Sequence, residues 1–426
     1  MVKPSFLASR FAKRALPALF AILFAAGALS CASVPPATRG RVIAPPTAAH
    51  PAPMTPPEAD TVVPGTDAAA TQALPDVEPP PAATPPPPDA NALGAPTPPD
   101  ERIPAPATSD LIALILPLDE PSFARAASAV RDGFFDAANA AGAGGDCIVI
   151  GHGRDGVVAA FAQARAKGVR VAVGPLVRDD LKQLATADAD LPWTLALNQL
   201  DDGTKLPAAV YSFPLTVESD GRMLARRALA GGARSIDVIE GESPLMKRLA
   251  TSFATEWLDS GGAAPSALRF DAAPDALASL RRTLTRNVPD AVLLAVNGDR
   301  AALVKPYIGG IDAYASGLVF ERPSPAVARD LDGVRVVEIP WLLTPDAPEF
   351  ASIARRDFES ASLARLYALG LDAYRIAASF RDGPPARFDV DGATGHIALA
   401  PRHEFRREGR LGVYRDGVLV PLDAAP

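Results

Sequence analysis

The sequence predicts an α/β protein: parallel sheets covered by helices, laid out as two successive lobes behind a proline-rich tether. Three observations carry this. From about residue 109 onward, strand-like and helix-like segments alternate with short connections, the pattern of strands joined through crossover helices. The pattern restarts after Phe213-Pro214, which supplies the second lobe. Before residue 109 prolines crowd and large apolar residues are scarce, so that stretch lacks the surface to form a core.

The first thirty residues have the make-up of an export leader. Lys3, Arg10, Lys13 and Arg14 form a basic start, and an apolar stretch runs from Ala15 to Leu29. That stretch falls short of the roughly 20 apolar residues that span a bilayer and matches the apolar core of a cleaved signal. It ends in Ala28-Leu29-Ser30-Cys31, the pattern read by the lipoprotein signal peptidase, which cuts before a diacylated cysteine. Cys31 is therefore the expected lipidation site. Three acyl chains anchor stably where one is marginal. The next residue is Ala32 rather than aspartate; likeness to bacterial lipoproteins then implies the outer membrane, on its periplasmic face.

Residues 31–108 read as an unfolded tether. Roughly half of the chain's 45 prolines lie there, with runs such as Pro79-Pro80-Pro81 and Pro85-Pro86-Pro87-Pro88. Polyproline II extends about 3.1 Å per residue, so the upper limit of reach is on the order of 200 Å. Pro-x-x-Pro ligand motifs occur, as they do by chance in any such run.

Residues 109–426 suffice for a large core split into two lobes. The chain carries a net charge of −7, and loss of the basic leader makes the remainder more acidic still. No basic stripe of the nucleic-acid-binding kind is present. Besides Cys31 the chain has Cys147 alone, inside the apolar run Cys147-Ile148-Val149-Ile150, where it reads as a buried small hydrophobe.

Leu111–Leu116 is a continuous apolar run, as in a strand buried on both faces. Phe123, Ala127, Val130, Phe134 and Ala138 then step by three and four, the helical spacing. Cys147–Ile150 predicts a second strand and Val157–Ala166 a second helix. Val169–Val173 and Trp193–Leu197 give two more strands. In the second lobe Glu218–Ala230 is helical, Ile236–Ile239 a strand and Leu245–Leu258 a helix. Leu268–Phe270, Ala291–Val296, Leu318–Phe320 and Val334–Ile339 are further strands, with helices between most of them. A strong helix is expected over Ser362–Phe380. The last forty residues have hairpin chemistry: Asp391-Gly392-Ala393-Thr394-Gly395 interrupts Phe388–Leu399, and Arg415-Asp416-Gly417 separates Leu411–Val413 from Val418–Leu422. Glycine after aspartate provides the positive φ of tight turns.

This order of elements resembles the type I periplasmic-binding fold, whose chain crosses between lobes three times. The resemblance implies lobe one at about 109–214 and 343–383, and lobe two at about 215–342 and 384–426. Open α/β sheets bind ligands beyond the carboxyl ends of their strands, so the cleft residues expected by analogy are Ser122, Gly174, Pro175, Asn198, Glu240 and Asn297. Each has a plainer role open to it, since glycine and proline end strands and asparagine caps helices.

Particular stretches narrow the likeness. Ile112-Ala113-Leu114-Ile115-Leu116-Pro117-Leu118 opens the domain, and Val130-Arg131-Asp132-Gly133-Phe134 lies on its first helix. Val173-Gly174-Pro175-Leu176 and Leu195-Ala196-Leu197-Asn198 end two strands. Ala364-Arg365-Leu366-Tyr367-Ala368-Leu369-Gly370-Leu371-Asp372-Ala373-Tyr374 comes late, before Asp391-Gly392-Ala393-Thr394-Gly395. Together they resemble the LppC family, the LpoA-type lipoprotein activators of penicillin-binding proteins, over roughly 109–422. Well-known members carry a helical-repeat domain before this one, where the proline-rich stretch stands here. The resemblance implies a non-enzymatic protein, without cofactor, whose partner is a class A penicillin-binding protein. A solute-binding or sensor lipoprotein for an amino acid or related small molecule, and a purely structural envelope tether, are the alternatives.

Catalytic motifs fare poorly. Gly151-His152-Gly153-Arg154-Asp155-Gly156 fits G-x-G-x-x-G between a strand and a helix. It follows the second strand rather than the first, however, and the next strand ends in Gly174-Pro175 with no acidic residue for a ribose. His50, His152, His396 and His403 form no metal-ligand spacing. No Gly-x-Ser-x-Gly elbow occurs. Asp188, Asp190, Asp201 and Asp202 lie in polar connections and read as solvated.

Overall fold

The structure, a computed structural model, describes residues 109–187, 189–200, 204–321 and 323–422. The leader, Cys31, His50, the proline-rich stretch, Asp188, Asp201 and Asp202 lie outside the described residues.

Strands β1 (Ile112–Leu116), β2 (Cys147–Gly151), β3 (Val171–Val173), β4 (Trp193–Ala196) and β5 (Val210–Ser212) are interleaved with helices α1 (Ala124–Ala140), α2 (Gly156–Ala166) and α3 (Arg178–Thr186). A second series follows: α4 (Val217–Ala230), β6 (Ile236–Glu240), α5 (Pro244–Asp259), β7 (Ser266–Arg269), α6 (Pro274–Arg286) and β8 (Ala291–Ala295). It continues through α7 (Gly298–Ile308), β9 (Asp312–Ser316), α8 (Pro325–Asp330) and β10 (Val334–Glu338). The chain then returns through α9 (Pro340–Leu343) and α10 (Ala361–Ala378). It ends in β11 (Asp389–Asp391), β12 (His396–Ala400), β13 (Glu404–Glu408), β14 (Arg410–Arg415) and β15 (Val418–Pro421).

Two sheets result, in the order β11-β12-β13-β5-β4-β3-β1-β2 and β15-β14-β10-β9-β8-β6-β7. The strands preceding β11 pair in parallel among themselves. In β1 the strand period of two sorts the side chains cleanly. Ile112, Leu114 and Leu116 enter the core beneath α1 and α10, while Ala113 and Ile115 enter the core on the opposite face, with Val157 and Leu181. The second sheet has its own core around Leu249, Phe253, Trp257 and Leu293. Cys147 is buried among the apolar residues of lobe one, and burial pushes its thiol up to about 11.

Two expectations are corrected. Leu318–Phe320 is not a strand; the strand is β9, ending at Ser316. The Ser316 carbonyl accepts the N–H groups of Val319 at 3.2 Å and Phe320 at 3.1 Å, so the chain turns and buries this apolar run in the second core. The final segment also does not belong wholly to lobe two. β13 pairs with β5 at Glu404–Ser212 and carries β11 and β12 into the first sheet; β14 and β15 alone join the second. The third crossing between lobes is therefore the single residue Gly409, between β13 and β14.

Candidate functional site in the cleft and junction of the lobes

The residues singled out by analogy fall into three places. At the carboxyl ends of β3 and β4, Gly174 and Pro175 are buried and lock the strand ends together. Gly174 N–H donates to the Leu195 carbonyl at 2.8 Å and Leu197 N–H to the Pro175 carbonyl at 3.0 Å. Asn198 joins them: its Nδ2 donates to the Leu176 carbonyl at 2.9 Å, and its Oδ1 accepts the Gln199 N–H at 2.9 Å. Ser122 is exposed on the turn that leads into α1. This end of lobe one frames a recess of about 370 Å³ whose walls include Phe123, Leu176, Leu197, Asn198, Leu366 and Leu369, with Arg178 on its border. Glu240 lies elsewhere, in a recess of about 340 Å³ beyond β6 and β7 with Lys247 and Arg269. Asn297 caps α7, its Oδ1 accepting the Arg300 N–H at 3.0 Å.

An amino-acid ligand carries two charges, and each needs a partner once removed from water. The walls of the lobe-one recess are mainly leucine and phenylalanine, and the polar atoms of Asn198 already serve the strand ends. Such a recess suits an apolar group better than a zwitterion. Neither helical spacing nor residue type separates a core leucine from one at a cleft: on α10, Leu369 is buried in the core and Leu366 only partly so.

The glycine-rich run 151–156 follows β2, an edge strand of the first sheet, away from any crevice between neighbouring crossovers. His152 turns inward there and is buried, with Nε2 3.7 Å from Asp180. Burial holds its pKa below the ordinary 6.5, against the upward pull of Asp180 and Asp119.

Between the lobes lies a set of buried charges that the sequence reading missed. Arg365 on α10 clasps Glu338 at the end of β10, with Nε to Oε1 at 3.0 Å and Nη2 to Oε2 at 2.5 Å; Nη2 also reaches the Phe320 carbonyl at 3.3 Å. Arg407 on β13 donates to Asp220 on α4 at 2.9 Å and to the Thr216 carbonyl at 3.3 Å. Ser316 on β9 donates to the second oxygen of Asp220 at 2.5 Å. All four charged side chains are at most 7 % exposed. Burial pushes the Asp220 carboxyl up while Arg407 pulls it down, and Glu338 adds repulsion. For Arg365, burial opposes the charge and Glu338 more than restores it. Each pair joins an element of one lobe to an element of the other.

The family described as "LppC putative lipoprotein" matches residues 107–417. The chain belongs to the LppC family. A curated relative from Edwardsiella ictaluri, named penicillin-binding protein activator LpoA, is 28% identical over 308 residues, covering 62% of this chain and 45% of its own length. The protein of the same name from Escherichia coli strain K12 is 26% identical over 311 residues, again 62% and 45%. The chain thus spans about half the length of the curated relatives it matches. Among solved structures, the C-domain of Haemophilus influenzae LpoA, described as a regulator of PBP1A, aligns with TM-score 0.63 and 22% identity over 73% of this chain and 99% of that domain. A "putative branched-chain amino acid ABC transporter" from Chromobacterium violaceum aligns with TM-score 0.62 and 30% identity, over 71% and 99%.

In this LppC chain the stretches that carry the family likeness build the frame. Gly133 on α1 and Gly370 on α10 face each other's backbones: a Cβ at Gly133 would lie 2.0 Å from the Tyr367 carbonyl oxygen, and one at Gly370 would lie 2.1 Å from that of Val130. Two helices can approach so closely only without side chains at the crossing. Two residues on, buried Asp372 accepts the N–H of Ala393 at 2.8 Å, and the N–H and hydroxyl of Thr394 at 2.7 Å each. The late helix and the Asp-Gly-Ala-Thr-Gly turn are thus two halves of one contact.

Proposed function

We propose that this chain is a lipoprotein anchored through Cys31 at the periplasmic face of the outer membrane, where it binds and activates a class A penicillin-binding protein. The observation that carries the reading is the 308-residue match to a relative named as such an activator. The family match spans residues 107–417, and the partner in this reading is a bifunctional peptidoglycan synthase. The job is regulation of a catalyst, with no chemistry of its own. A tethered domain raises its own effective concentration near the partner. To raise the partner's active population tenfold, it must bind the active conformer about 1.4 kcal/mol more tightly than the inactive one.

The test uses the full chain in detergent with a detergent-solubilised class A penicillin-binding protein. Retention on the immobilised synthase and a several-fold rise in peptide cross-linking are expected. A second reading, a solute-binding lipoprotein, draws on the 30% match to the Chromobacterium violaceum protein. Absence of retention together with a strong thermal shift on adding an amino acid would replace the first reading with the second. Inhibiting the lipoprotein signal peptidase tests the anchor: the mature mass should rise by the retained leader, and an unchanged mass overturns lipidation at Cys31.

A further inference from the structure

Between the lobes, beside the leucine-lined recess, lies a basin of about 850 Å³. The turn between β12 and β13 walls it on one side, and α4 and α5 wall it on the other. Several charges on its wall are paired: Arg248 lies 2.9 Å from Glu218, Arg406 lies 2.9 Å from Glu404, and Glu256 is held by Arg226 at 3.0 Å. Arg222, Lys247 and Arg402 line the same basin and make no ion pair among the described residues. Arg222 has only a long contact to the Ser219 hydroxyl, 3.4 Å. Against these three cations stands Asp259 as the lining carboxylate without an ion pair. Among the described residues that line it, six basic side chains stand against four acidic ones, drawn from both lobes of a chain whose net charge is −7.

The backbone under Arg402 is a second, independent observation. Arg402 and His403 have φ of 65° and 61°, the left-handed region that two consecutive non-glycine residues seldom share and that costs of order 1 kcal/mol each. Turns of this shape favour asparagine and glycine. The surroundings pin the turn: the His403 ring stacks on Tyr211 with centroids 4.2 Å apart, and its carbonyl accepts the Ser212 N–H at 2.9 Å. The chain thus keeps an arginine on the basin wall where asparagine would relieve strain.

We propose that this basin binds a small polyanion, with Arg402 of one lobe and Arg222 and Lys247 of the other sharing its charges. A ligand with two or more carboxylate or phosphate groups fits the size range of such sites and can satisfy cations on both walls, which a single charge cannot. Binding it draws the lobes together and stabilises the joined state by mass action.

The test is calorimetric titration of the full chain at low salt, with citrate in one arm and pyrophosphate in the other. Saturable one-to-one binding is expected in at least one arm, and the responding arm tells carboxylate from phosphate preference. Arg402→Asn should weaken binding by about tenfold or more, the worth of a charge-assisted contact, while melting no earlier than the parent because asparagine suits the turn. Arg222→Gln should weaken it from the opposite wall. The proposal is overturned if neither anion binds saturably, or if Arg402→Asn and Arg222→Gln bind as the parent does.

Discussion

Arg407→Met is the sharpest probe of the junction. The side chains of Arg407 and Asp220 are 1% and 3% exposed and 2.9 Å apart, so the substitution strands a carboxylate in the interior with Ser316 as its remaining side-chain donor. Removing one member of a buried pair costs about 3–5 kcal/mol. The upper part of that range is expected here, because Glu338 already repels Asp220. For a domain of this size the loss corresponds to a fall in Tm of roughly 6–10 °C. Adding Asp220→Asn removes the stranded charge and should return most of the stability, since an uncharged pair can be nearly neutral relative to a buried ion pair. The assay is a double-mutant cycle by urea unfolding, with calorimetry alongside. Because the pair links α4 to β13, the parent's unfolding should be more cooperative than that of Arg407→Met, whose calorimetric peak should broaden or split into the two lobes. A single substitution costing less than about 1 kcal/mol, or costs that simply add in the double variant, would refute the view that this pair ties the lobes.

Other perturbations test neighbouring parts. Gly133→Ala or Gly370→Ala should each cost at least about 1–3 kcal/mol as α1 and α10 are forced apart, read from thermal melts; parent-like melting would mean the helices do not approach as closely as described. His152 gives the fold a pH dependence. Its pKa is lower folded than the 6.5 of the free side chain, so below that value the unfolded chain takes up the proton first. Its contribution is full above about pH 6.5 and is lost as pH falls, with a slope of at most about 1.4 kcal/mol per pH unit. His152→Asn should flatten the stability profile between about pH 7 and 5.5. Asp180, raised by burial and pulled down by His152, works in the opposite sense on acidification, and losing His152 removes that downward pull. An unchanged slope in the variant would assign the acid sensitivity to other groups.

Much of the architecture was legible because buried parallel strands leave apolar runs and covering helices leave a period of three and four. Where both signals failed, the topology was misread. β13 is Glu404-Phe405-Arg406-Arg407-Glu408, four charges in five residues. Nothing in that composition suggests a strand of an interior sheet, because the burial of Arg407 depends on Asp220 from far along the chain. Missing β13 moved β11 and β12 into the wrong lobe. Leu318–Phe320 shows the converse: an apolar run has the composition of a strand although Ser316 folds it into a turn. The same logic limits what residue type says about the site. Asn198 and Asn297 have the chemistry of ligand groups, yet Asn198 spends both its side-chain polar atoms, and Asn297 its Oδ1, on the protein's own backbone.

The stretches that most resemble the family are also those with the tightest internal duties: Gly133 against Gly370, and Asp372 beneath Ala393 and Thr394. Positions under such constraint tolerate few substitutes, so they keep a recognisable pattern whatever surface the protein presents. The patterned residues therefore identify the frame, and on the proposed reading recognition of a partner falls to side chains that the frame leaves free. In the basin these are Arg222, Lys247 and Arg402, which line it and make no ion pair among the described residues. An arginine held at a φ of 65° has no duty to the frame that asparagine would not perform better. That makes Arg402 the position where a gain in stability and a loss of binding should separate frame from function.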